Sequence, residues 1–78
     1  MNITDMTRDV QANIISFNNL ESGFTKRLMD LGIYESARVT LLNKLSFGNL
    51  FLIEVDDIEI CLRKEDAMKI EVQLWFIY

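Results

Sequence analysis

Leu20, Phe24, Leu28 and Leu31 recur at spacings of four, four and three. Those steps place them on one face of an α-helix, with Lys26, Arg27 and Asp30 falling away from it. Ser22 is placed to cap the first turn. Gly32 is placed to end the last one, because a left-handed residue just past a helix lets the next apolar residue, Ile33, fold back on Leu28. The pattern predicts one helix over residues 22–31. The rest of the chain reads as strand. Residues 13–17 form a short apolar run with β-branched members, and residues 37–45 (ARVTLLNKL) follow a turn at Tyr34, Glu35 and Ser36. Over residues 50–62, a two-residue turn at Asp56 and Asp57 opposes Val55 to Ile58, Ile53 to Ile60 and Phe51 to Leu62. That register puts these six apolar side chains on one face and Leu52, Glu54, Glu59 and Cys61 on the other. Residues 64–68 read as a polar helical turn and residues 70–75 as a last strand.

The predicted order is strand, helix, then four strands with a helical turn before the last. Five short strands within 78 residues cannot stack as two full sheets, so they must curl. A mainly β fold follows: a small, strongly bent, SH3-like antiparallel β-barrel, with the helix as a plug or lid at one end. An open α+β sheet with the helix laid across it is the alternative. Half the residues are hydrophobic, there is no proline and there are three glycines, a composition that suits one folded domain over residues 1–78. A chain this short buries only about 60% of its unfolded surface, so its core is expected to be marginal.

Charge and side-chain inventory narrow the chemistry. With one cysteine, Cys61, and no histidine, the chain can form no internal disulfide, no Cys/His metal site and no histidine-dependent catalytic triad. Paired-carboxylate catalysis has no pocket signature either, and a non-enzymatic protein is expected. The net charge is −4, and Arg8, Lys26, Arg27, Arg38, Lys44, Arg63, Lys64 and Lys69 are scattered, which argues against nucleic acid as a partner. The first residues lack the basic flank and apolar run of a signal peptide, and a cytoplasmic location is expected. Glu54, Asp56, Asp57 and Glu59 crowd one hairpin tip. They are weak candidates for a divalent cation such as Fe²⁺; otherwise no cofactor is expected, and a solvated tip is the plainer reading. No local cation is evident to activate Cys61, which is expected to be inert.

Four blocks carry a family resemblance: Arg27-Leu28-Met29-Asp30-Leu31-Gly32, then Ala37-Arg38-Val39, then Phe47-Gly48-Asn49, then residues 62–72 (LRKEDAMKIEV). In order and separation they resemble the FeoA family of bacterial ferrous-iron transport proteins, over nearly all of the chain up to Val72. The resemblance implies an SH3-like barrel, a cytosolic location, and an accessory role to FeoB, the membrane ferrous-iron transporter with a cytosolic GTPase domain. The chain departs from the family pattern at Ser36, where a glycine is usual, and at residues 46–50, where a proline-glycine-aspartate-proline loop is usual and only Gly48 remains. Leu28, Leu31, Gly32, Ala67 and Ile70 read as packing and helix-stop residues. Arg27 and Arg63 either tie down loop carbonyls, the plainer reading, or bind a partner's carboxylate, and Tyr34 and Phe47 are candidate interface anchors. The alternative is an SH3-like protein-interaction or transition-metal-ion-binding module unconnected to transport.

Beyond about residue 73 the chain turns apolar, with Leu74, Trp75, Phe76, Ile77 and Tyr78 in succession. The run is too short to cross a bilayer, so the protein is not expected to be membrane-embedded. Strand alternation prevents all five side chains from burying on one face, and self-association into a homodimer through this segment is expected, with ordinary extension of the last strand as the alternative.

Overall fold

The computed structural model describes residues 1–17 and 22–74, and of Ser22 and Phe24 only the backbone. Within them the chain runs β1 (Gln11–Phe17), α1 (Ser22–Asp30), β2 (Arg38–Leu45), β3 (Leu50–Val55), β4 (Ile58–Arg63), α2 (Lys64–Ala67) and β5 (Ile70–Leu74), after an N-terminal 3-10 turn, Ile3–Asp5. The strands pair antiparallel in the order β4-β3-β2-β1-β5. Register shifts between Ile14 and Ser16 and between Leu41 and Asn43 interrupt β1 and β2. Such bulges bend the bulged strand and sharpen its twist, which lets a short sheet wrap around its own core.

The β3–β4 hairpin adopts the expected register, from Val55 opposite Ile58 to Leu50 opposite Arg63. Its turn residues Asp56 and Asp57 take φ of +52° and +67°, as a primed two-residue turn requires. Phe51, Ile53, Val55, Ile60 and Leu62 are buried, but Ile58 is 52% exposed. The inner face of the hairpin therefore contributes five core side chains rather than six. Val55 lies on an inner strand flanked by β2 and β4, whereas Ile58 begins an end strand beside the turn, with β3 as its one neighbour in the sheet.

Helix α1 ends as its sequence predicts. The Gly32 N–H donates to Met29 O (3.0 Å) and the Ile33 N–H to Leu28 O (2.8 Å), the paired bonds of a Schellman stop, with Gly32 at φ +93°. Leu28 and Ile33 are both buried. Leu31 is not the core contact its spacing implied; it is 46% exposed. The helix closes at Asp30, so Leu31 caps the last turn and Ile33, after the reversal, fills the core. Leu20 and the side chains of Ser22 and Phe24 lie outside the described residues. As expected, Ala67 and Ile70 are buried where α2 leads into β5.

Ile3 and Met6, before the first strand, join the core, which the sequence pattern did not predict. The Asn2 side chain accepts from the Thr4 N–H (2.8 Å), and the Asp5 carboxylate accepts from the Asn2 N–H (3.0 Å). This reciprocal cap directs Ile3 and Met6 inward, where both are buried. The Val72 N–H donates to Met1 O (2.8 Å), and the terminal ammonium meets Glu71 (2.9 Å), so the N-terminus lies along the outer edge of β5.

Candidate interaction groove

Arg27 and Arg63 lie thirty-six positions apart in sequence, and the fold brings them to one groove. Arg27 stands in the last turn of α1, where the exposed carbonyls favour a cation. Arg63 ends β4 and caps α2 in an extended conformation (φ −71°, ψ 152°). Leu28 of α1 and Leu62 of β4 both belong to the buried core, and residues of both elements line one hollow. Between them lies a hollow of about 290 Å³, lined by Arg27, Leu28, Leu31, Cys61, Leu62, Arg63 and Asp66. Two guanidinium groups, one carboxylate and the half-exposed Leu31 make a surface suited to an anionic group carried beside an apolar one. Contrary to the expectation that Cys61 lacks a local cation, both arginines line the groove with it.

Phe47 stands at the same end of the sheet. Leu50 pairs with Arg63, and the Lys64 N–H donates to Asn49 O (2.9 Å), tying the loop before β3 to the start of α2. Ser46, Phe47 and Gly48 take successive left-handed conformations, φ +52°, +58° and +85°. Only the glycine adopts this freely; each of the others pays about 1–2 kcal/mol. The Phe47 ring gains no burial in return, for the residue is fully exposed. An aromatic held out on a strained turn adds nothing to the core, and its exposure is what an interface anchor needs.

Tyr34 occupies the opposite end. Its hydroxyl donates to Asp56 Oδ2 (3.0 Å) at the tip of the hairpin, which is about 17 Å from Arg63 along β4. The Asp56 carboxylate, as acceptor and as neighbouring charge, raises the tyrosine pKa above its ordinary value. Tyr34 thus clasps the chain after α1 to the β3–β4 turn, while remaining partly exposed. Three of the four tip carboxylates, Glu54, Asp56 and Asp57, line a polar hollow of about 370 Å³ together with Arg38, Thr40 and Asn13, whose Oδ1 is buried without a hydrogen-bond partner. Glu59 pairs with Glu54 across the strands but does not line that hollow. Among the described residues no group of three or more His, Cys, Asp or Glu side chains is arranged to hold a metal ion. Asp56 is engaged by Tyr34, and a guanidinium shares the hollow.

The four sequence blocks noted above are thus the groove wall, the turn into β2, the strained loop and the α2–β5 closure. A family model, FeoA domain, matches residues 1–74. The chain belongs to the FeoA family. Solved structures of similar fold include iron(II) transport protein A from Clostridium thermocellum, at 20% identity and TM-score 0.88, covering 95% of this chain and 45% of that one. FeoA from Chlorobium tepidum matches at 23% identity and TM-score 0.87, covering 95% of this chain and 70% of that one. FeoA from Stenotrophomonas maltophilia, described as complexed with zinc and as a procaryotic SH3-domain protein, matches at 22% identity and TM-score 0.79, covering 94% and 89%. No curated protein sequence matches the chain. The chain spans less than half of the Clostridium protein. The fold is the expected SH3-like one. Its five strands lie in a single sheet whose ends are β4 and β5.

The groove includes Leu31, Cys61 and Asp66, which the sequence reading did not assign to a partner surface. The signal lay in Leu31, which shares the helix's apolar spacing but falls one residue before the stop glycine, where a helix has already begun to leave its core.

Proposed function

We propose that this FeoA-family protein is a cytosolic, non-catalytic accessory that binds or modulates the FeoB ferrous-iron transporter through the transporter's cytosolic domain. The observation that carries the reading is the convergence of Arg27, Arg63 and Phe47 at one end of the sheet, which gives a cationic groove beside an exposed aromatic. Family membership supplies the link to iron transport. No helix among the described residues is long and apolar enough to cross a membrane, consistent with a partner that docks from outside the bilayer. Tyr34, clasped to Asp56, serves this reading as a secondary contact at the far end. The test is capture of the transporter's cytosolic domain by wild type and by Phe47→Ala. Wild type is expected to retain it and the variant to lose at least about fivefold in affinity, in the range of a buried aromatic anchor. Equal capture by both removes Phe47 from the interface, and no capture by wild type overturns the assignment.

A further inference from the structure

We infer that the groove between α1 and the outer edge of β4 receives an extended, acidic segment of a partner protein as an added strand, with its carboxylates set on Arg27 and Arg63. The inference rests on the reading of this protein as an interaction module and names the chemistry of what it binds.

Strand β4 is an end strand of the sheet, paired on one side to β3. In a two-residue hairpin the pair closing the turn exchanges both of its hydrogen bonds, and hydrogen-bonded pairs then alternate along the ladder. Val55 and Ile58 are that closing pair, so Ile58, Ile60 and Leu62 bond to β3. The backbone groups of Glu59, Cys61 and Arg63 therefore face outward. Two of these three residues, Cys61 and Arg63, line the groove, and no described strand pairs with that side of β4. At the other end of the sheet the N-terminus runs beside β5, through the Val72–Met1 bond and the Asn2–Glu71 bridge. The two sheet edges are thus treated differently. One is covered by the chain itself, and the other borders a groove.

Charge selects the occupant. Arg27 and Arg63 flank the groove, two cations against one carboxylate, Asp66, among its lining residues. Asp66 tempers the charge without cancelling it. The hairpin's far tip carries Glu54, Asp56, Asp57 and Glu59, so β4 runs from an acidic end to a basic one. An added strand with carboxylates at the basic end meets complementary charge and the apolar surface of Leu31, while its main chain satisfies the β4 edge.

The experiment uses the full chain and the synthetic peptide acetyl-Val-Glu-Leu-Asp-Val-Glu-amide. Amide shifts in Glu59, Cys61, Arg63, Arg27 and Leu31 are expected on titration, with affinity falling at least about tenfold in Arg27→Gln/Arg63→Gln. Both arginines are exposed, and an unchanged amide spectrum of the free variant verifies its fold. A peptide with lysine in place of each acid is expected to bind at least about tenfold more weakly, and one N-methylated at alternate amides to lose binding. Equal binding of the lysine peptide overturns the charge assignment. Equal binding of the N-methylated peptide overturns strand addition, and shifts confined to other residues, or none at millimolar peptide, overturn the site. The transporter's cytosolic domain is tested in parallel with the same double variant. Capture that survives the double substitution refutes the groove and leaves the transport reading standing; a peptide that binds while the transporter domain does not refutes the transport reading alone.

Discussion

Ser36 shows what a single backbone angle can cost. It sits at φ +77°, with its N–H bonded to Ile14 O (2.7 Å), just before the chain enters β2. A side chain in the left-handed region loses about 1–2 kcal/mol, which glycine avoids at the expense of a looser unfolded chain. Ser36→Gly is expected to stabilise the protein by about 0.5–1 kcal/mol, read as a higher urea midpoint with unchanged slope; a lower midpoint refutes strain at this position. The Tyr34–Asp56 bond has a pH signature of the opposite kind to an acid transition. Because the folded pKa of Tyr34 is raised, its contribution is complete below the ordinary tyrosine pKa of about 10 and is lost as pH climbs through the folded value. Tyr34→Phe is therefore expected to reduce stability at neutral pH but to narrow its deficit in strong alkali. Tyrosinate absorbance should also lose a component that titrates above the ordinary tyrosine value; a variant whose deficit is constant across the alkaline range would contradict the assignment.

At the scale of elements, the β3–β4 hairpin organises the rest. Its register follows from the two-residue turn, and alternation then directs Phe51, Ile53 and Val55 into the core from an inner strand. Ile53 is fully buried and central. Truncating a buried isoleucine to alanine costs about 2–5 kcal/mol, against a total stability of about 4–12 kcal/mol for a chain of this length. Ile53→Ala is expected to cost at least about 2 kcal/mol in urea denaturation, whereas Ile58→Ala, at the exposed end of the same face, should cost under about 1 kcal/mol. Equal losses at the two positions would mean that Ile58 is buried after all. Helix α1 contributes less to the described core, but its Schellman stop fixes where Arg27 and Leu31 stand relative to β4.

Across the whole molecule, the two ends of the sheet have opposite character. One gathers the acidic turn and the Tyr34 clasp; the other gathers Arg27, Arg63, the groove and Phe47. The proposed self-association through Leu74, Trp75, Phe76, Ile77 and Tyr78 belongs to this scale. Leu74 is half-buried against the protein's own core and is therefore committed within the chain, which leaves residues 75–78, outside the described residues, as the segment to test. Deleting them is expected to convert a dimer to a monomer in light scattering. A monomer both before and after deletion refutes the dimer.

By itself the sequence determined what depends on neighbours a few residues apart. The Asp56-Asp57 turn sets the hairpin register because strand alternation has a period of two, and Gly32 stops α1 because only a left-handed residue completes that hydrogen-bond pattern. The motif blocks likewise pointed to the FeoA family before any contact was known. Only the tertiary structure decided which apolar residues of a periodic set are covered. Leu31 and Ile58 obey the pattern yet stand exposed, because burial requires a neighbouring element on that side and periodicity carries no information about one. The groove has the same origin: Arg27 and Arg63 stand thirty-six positions apart in sequence, and only the fold brings both to one hollow.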